Sequence, residues 1–138
     1  MSLQWRQQLS VGNDLIDSDH KHLIDIINRV EDSLRNMERS GLTDALDDLS
    51  RYSRTHFAAE EKIAAAAGYA HVARLHESHG ALLERLDQLR QELGGGWTTE
   101  SVERFTNMLR DWLINHVIKE DLRMKPSLAK YSPKFDPR

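Results

Sequence analysis

Four stretches of this chain repeat apolar residues at three- and four-residue spacing, and each carries a side chain able to bind metal on or beside that stripe. The first stripe is Leu23, Ile26, Ile27, Val30, Leu34 and Met37, with His20 just before it. The second reads Leu46, Leu49, Ser53, His56, Glu60 and Ile63. The third carries Val72, Leu75, His79, Leu82, Leu86, Leu89 and Leu93, and the fourth Val102, Phe105, Leu109, Trp112 and His116, with Asp121 beyond. This period predicts amphipathic helices. Short connections make consecutive helices antiparallel neighbours, so the expected fold is all-α, an up-down-up-down antiparallel four-helix bundle.

The expected boundaries follow from capping chemistry. Asp17 or Ser18 is a suitable N-cap for the first helix, with Asp19 favourable near its positive end. Ser40-Gly41 closes that helix and Thr43 caps the second. Gly68 ends the second, Gly94-Gly95-Gly96 breaks the third, and Thr98 or Thr99 starts the fourth. Residues 1–17 are expected to form a non-helical arm anchored by Trp5. Residues 18–124 form the bundle and 125–138, with Pro126, Pro133 and Pro137, an irregular tail.

A chain of 138 residues supports a single domain with a real core. Lys plus Arg is 19 against 22 for Asp plus Glu, a net charge of −3 with no basic run, which argues against nucleic acid as a partner. No apolar run reaches the length of a membrane span, and MSLQWRQQLSVGN is not a secretory leader, so a cytoplasmic domain without membrane contact is expected. The chain has no Cys, which removes disulfides and thiolate ligands.

Imidazoles with two carboxylates and no thiol suit iron or manganese better than a zinc–thiolate site. His56 and Glu60, four apart, share a helix face. An unpaired carboxylate buried at Glu60 would cost on the order of several kcal/mol, and metal coordination is one of the few ways to offset that. A lone His on an apolar stripe is most simply a hydrogen-bonded core residue. That reading would have to hold on four helices at once and also explain a buried Glu, so a di-metal centre is the better expectation. His116 and Asp121, five apart, would stand about 140° apart on a regular helix, whereas Glu120 would share the His116 face. Either Glu120 is the ligand or a π-type bulge brings Asp121 round.

The motifs Trp5, Val11-Gly12, Ile16-Asp17-Ser18-Asp19-His20-Lys21-His22-Leu23, His56-Phe57-Ala58-Ala59-Glu60-Glu61, Tyr69, His79 and His116-Val117-Ile118-Lys119-Glu120-Asp121 together resemble a bacterial hemerythrin, from Trp5 to about Met124. The resemblance implies a bundle holding two iron ions bridged by an oxo or hydroxo group and two carboxylates, and reversible binding of dioxygen. It implies His20, His56, His79 and His116 as terminal ligands with Glu60 and Asp121 bridging, which favours Asp121 over Glu120.

One departure stands out. The family pattern has two His four apart on the third helix, and here the first position is Leu75, in a turn where Ala70 replaces the usual proline. Either the ligand is lost or His76 substitutes for it after a small rotation. His76 and His79 are three apart, about 60° on the wheel. His22 and His71 fall off the stripes. A lost ligand would leave both irons with an open or water-filled position, which suits a sensor or a reactive centre better than a carrier. Ala64, where the family often has a bulky Met, suggests a roomier pocket, although alanines here also simply favour helix.

The leading expectation is a non-haem di-iron domain that binds dioxygen or another small diatomic or anionic ligand and senses oxygen or redox state, in concert with a signalling domain, without being a dedicated catalyst. The alternative is a di-iron enzyme with oxidase, peroxidase or nitric-oxide-reducing activity, though no general acid or base is evident over the metals. Iron storage or ferroxidase action would call for more carboxylates than the chain supplies.

Overall fold

The computed structural model describes residues 2–138, and among them every regular element is helical. Three long helices, α1 (Asp14–Arg35), α2 (Arg39–Ala66) and α3 (Val72–Gly94), are followed by a composite fourth rod. That rod consists of α4 (Val102–Asp111), a π-helical segment Trp112–Ile118, and α5 (Lys119–Asp121). Beyond it a 3-10 turn (Leu122–Met124) leads into α6 (Lys125–Leu128). Packing of α1 on α2, α2 on α3, α3 on the π segment and α4 back on α1 closes the antiparallel four-helix bundle. No helix among the described residues is long and apolar enough to cross a membrane.

Helix α1 begins earlier than the apolar stripe suggested. Asn13 is its cap, its side chain accepting from the Ile16 amide, and Asp14 occupies the first turn. Asp17, expected to cap, instead accepts from the Ser10 hydroxyl and the Val11 amide and ties the arm to the helix. The arm contains one 3-10 turn, Gln7–Leu9, and is held by reciprocal bonds between the Leu3 backbone and the Asn28 side chain as well as by half-buried Trp5.

The connection from α1 to α2 also differs from expectation. Met37 was placed on the first stripe, but it lies in the turn, exposed, with φ 54°. The Glu38 amide donates to Ser33 C=O and the Met37 amide to Leu34 C=O, a Schellman closure. Ser40-Gly41 therefore falls inside the first turn of α2, ahead of Thr43. At the other end of α2 the same closure recurs with its usual residue: Gly68 has φ 76°, and Tyr69 and Gly68 donate to Ala64 and Ala65. Thr98 and Ser101 exchange side chain–backbone bonds in the turn that leads into α4. The tail is more ordered than expected. Pro126 occupies the first turn of α6, Met124 and Leu128 are buried, and the carbonyls of Pro133 and Phe135 accept from Asp14 and Asn13.

The core has two apolar parts. The larger joins Leu23, Ile27, Leu49, Phe57, Leu86, Phe105 and Leu113, among others. The smaller joins Val11, Ile16, Ile63, Ala64, Ala67, Leu75, Met124 and Leu128. Along each rod, a buried polar residue falls between the members of these two clusters, so the bundle holds a polar layer between two greasy ones.

Candidate metal centre

Four of the residues in that layer converge on one point. His20, His56, Glu60 and Asp121 are all buried, and each offers a ligand atom within 4.8 Å of the others. His20 Nε2 lies 2.8 Å from Asp121 Oδ2 and 3.7 Å from Glu60 Oε2, while His56 Nε2 lies 2.7 Å from Glu60 Oε2. His79 joins from the other side, its Nε2 3.2 Å from Glu60 Oε1. Its ring is fixed by stacking on Phe57, with centroids 4.0 Å apart.

Residues next to the clustered side chains in sequence orient these rings. Asp19 Oδ2 accepts from His56 Nδ1 at 2.9 Å and Asp19 Oδ1 from the Tyr52 hydroxyl at 2.6 Å. Glu61 Oε2 accepts from His79 Nδ1 at 2.9 Å. With Nδ1 donating, each neutral ring turns its Nε2 lone pair inward, the arrangement in which a carboxylate prepares an imidazole for metal. None of these three supporting residues stood out in the sequence. The available signal was adjacency, since Asp19 precedes His20 and Glu61 follows Glu60.

The inward atoms lack ordinary partners. His56 Nε2 and both Glu60 oxygens are buried without a hydrogen bond, despite the short separation between two of them. His20 Nδ1 and the Ser53 hydroxyl are also unsatisfied. Lone pairs facing lone pairs at zero exposure call for a shared cation.

The electrostatics agree. Burial opposes charge on His56, but the Glu60 carboxylate and the bond to Asp19 override it and hold the imidazole pKa well above its usual value. Burial likewise opposes charge on Glu60, and His56 overrides it to hold this carboxyl well below the usual range. Burial, then the Glu60 charge, pushes Asp121 upward. Each of these shifts comes from crowding two carboxylates and their imidazole neighbours into one dry layer, a charge imbalance that a metal ion would relieve.

Other sequence candidates lie elsewhere. Glu120 accepts from the Ser78 hydroxyl at 2.6 Å and is not part of the cluster. The helix does open into a π segment, Trp112–Ile118, which begins before His116 and runs into the interval between His116 and Asp121. In that wide turn Val117 and Ile118 face the core and His116 faces out, 45% exposed, its Nε2 3.1 Å from Asp111. His116, expected as a terminal ligand, is therefore not brought to the cluster. His76 is exposed too, with Nδ1 bonded to Glu61 Oε1 at 2.6 Å, whereas Leu75 is buried against the smaller apolar cluster.

An antiparallel four-helix bundle with buried His and carboxylate side chains converging between two apolar layers is a helical domain able to hold a metal ion. Residues 11–128 match the family profile described as the hemerythrin HHE cation binding domain, and the chain belongs to that family. It is similar to bacteriohemerythrins from Pseudomonas aeruginosa (30% identity, covering 86% of this chain and 76% of the relative) and Methylococcus capsulatus (32%, 82% and 86%). A crystal structure of wild-type hemerythrin superimposes with a TM-score of 0.79 at 27% identity, over 94% of this chain and 99% of that one.

Proposed function

We propose that this chain is a non-haem di-iron domain that binds dioxygen, or another small diatomic or anionic ligand, and acts as an oxygen or redox sensor. The observation that carries the reading is Glu60, fully buried, with two unpartnered oxygens between inward-facing imidazole nitrogens. His20, His56, Glu60, His79 and Asp121 would hold the metal, with Glu60 offering one oxygen to each side. Asp19 and Glu61 fix the rings from outside, and the apolar layers above and below keep bulk water out. Iron bound there would supply the redox-active centre to which a small ligand attaches.

The sensor reading draws its support from Leu75. A side chain that can only pack stands where the family pattern has an imidazole, which leaves coordination positions for exogenous ligands. The iron-loaded, reduced protein should change its visible spectrum once on admission of air, and azide titration of the oxidised form should show a labile or two-step binding. Sustained consumption of a reductant under oxygen, peroxide or nitric oxide over many turnovers would instead favour the enzyme reading.

A further inference from the structure

The two sides of Glu60 are furnished very differently. On the Oε2 side, His20, His56, Glu60 and Asp121 present two imidazole nitrogens and two carboxylate oxygens, all buried and mutually within 4.8 Å. On the Oε1 side the imidazole is His79 alone, 3.2 Å away. The three further residues considered for that side are otherwise engaged. Leu75 is buried among Ile63, Ala64 and Met124, His76 turns outward onto Glu61, and His116 is held outside by Asp111.

We infer that this chain binds one divalent first-row metal ion tightly at His20, His56, Glu60 and Asp121, and a second one much more weakly at His79, so that the centre fills stepwise and a one-metal form is a populated state. The inference rests on the di-iron reading above and adds the order and inequality of loading. Even with Asp121 spanning both positions, the second offers one imidazole, and the rest of its coordination falls to solvent or small ligands. The loss of a single supporting partner around a metal site typically lowers affinity about 10–100-fold. A position with one imidazole, beside a neighbour with two imidazoles and two carboxylates, should bind more weakly by more than about 100-fold.

The test is an anaerobic titration of the metal-free chain with Fe(II), repeated with Co(II) to read coordination from the visible spectrum. Two separated steps are expected. His79→Ala should remove only the second step and His20→Ala the first, with His56→Asn as a second variant should His20→Ala fail to fold by circular dichroism. His116→Ala should leave both steps unchanged, and Leu75→His should tighten the second at least about tenfold. Two ions taken up in one step of equal affinity would overturn the inference and leave the di-iron reading standing. So would loss of the second ion in His116→Ala, which would mean that His116 turns inward to serve it. One tight ion with no second at any concentration would overturn both the di-iron reading and the stepwise loading inferred from it. Failure to bind any ion would overturn both.

Discussion

Glu60 keeps both carboxylate oxygens free of hydrogen bonds at zero exposure, while imidazole nitrogens stand 2.7, 3.2 and 3.7 Å away. Its neighbours explain why the arrangement survives folding, because Asp19 and Glu61 hold two of those rings by Nδ1 before any metal arrives. Asp19→Ala should therefore lower iron affinity about 10–100-fold without unfolding the protein, as a calorimetric titration would reveal. An unchanged affinity would mean the ring needs no outside support. Asp121→Ala should abolish the paired centre, whereas Glu120→Ala, which removes only a partner of Ser78, should leave metal content and spectrum nearly unchanged. The reverse result would show that regular helix spacing, which pairs Glu120 with His116, was the better guide. At this scale the sequence was readable for residues lying on apolar stripes, such as His56, Glu60 and His79. It assigned Asp19 only a helix-dipole role and Glu61 none beyond its place in a motif, because both lie off the stripes and look like ordinary helix-surface acids.

At the scale of the element, the fourth rod carries the main lesson. Its apolar period is clear up to Trp112, and the wide turns from Trp112 to Ile118 then shift the phase. A period read at 3.6 residues cannot register such a change, so it assigned His116 to the inner face. Resemblance supplied Asp121 where period had left the choice open, and resemblance also retained His116, which the π segment turns to solvent. Helix ends were harder to read than helix bodies for a different reason. Met37 continues the apolar spacing, yet the chain turns there through a left-handed residue, a conformation that costs a non-glycine roughly 1–2 kcal/mol. Met37→Gly should stabilise the protein by about 1 kcal/mol, a rise in melting temperature of roughly 4 °C in calorimetry. A fall would mean that the half-exposed side chain packs more than its position suggests. The α1–α4 contact is joined by a fork in which Arg110 Nε and Nη2 donate to the two oxygens of buried Glu31, at 2.6 and 2.9 Å. Arg110→Ala would strand that carboxylate and should cost about 2–3 kcal/mol, less than a fully buried pair because the guanidinium is partly exposed. Chemical denaturation would measure the loss, and a change below about 0.5 kcal/mol would show the fork to be a surface pair in effect.

For the whole molecule, the arrangement that matters is a polar layer enclosed by two apolar ones. The bundle was legible because four periodic stripes with short connections admit few other packings. The layering was less so, because the smaller apolar cluster draws on residues read as arm and tail: Val11, Ile16 and Leu128. Those residues close the end of the bundle beside the ligands, and the Pro133 and Phe135 carbonyls bind the tail to the start of α1. A polar layer so enclosed is most stable with its charges balanced, so metal binding should stabilise the fold. The most direct measurement is iron content and visible spectrum of the chain reconstituted anaerobically with Fe(II), before and after air, with a melting curve of the loaded and metal-free forms. Bound iron should approach two per chain at excess metal, with a spectral change on air that reduction reverses and a lower melting temperature for the metal-free form. Stoichiometric zinc in preference to iron, or no metal uptake and no difference in melting, would contradict the di-iron reading.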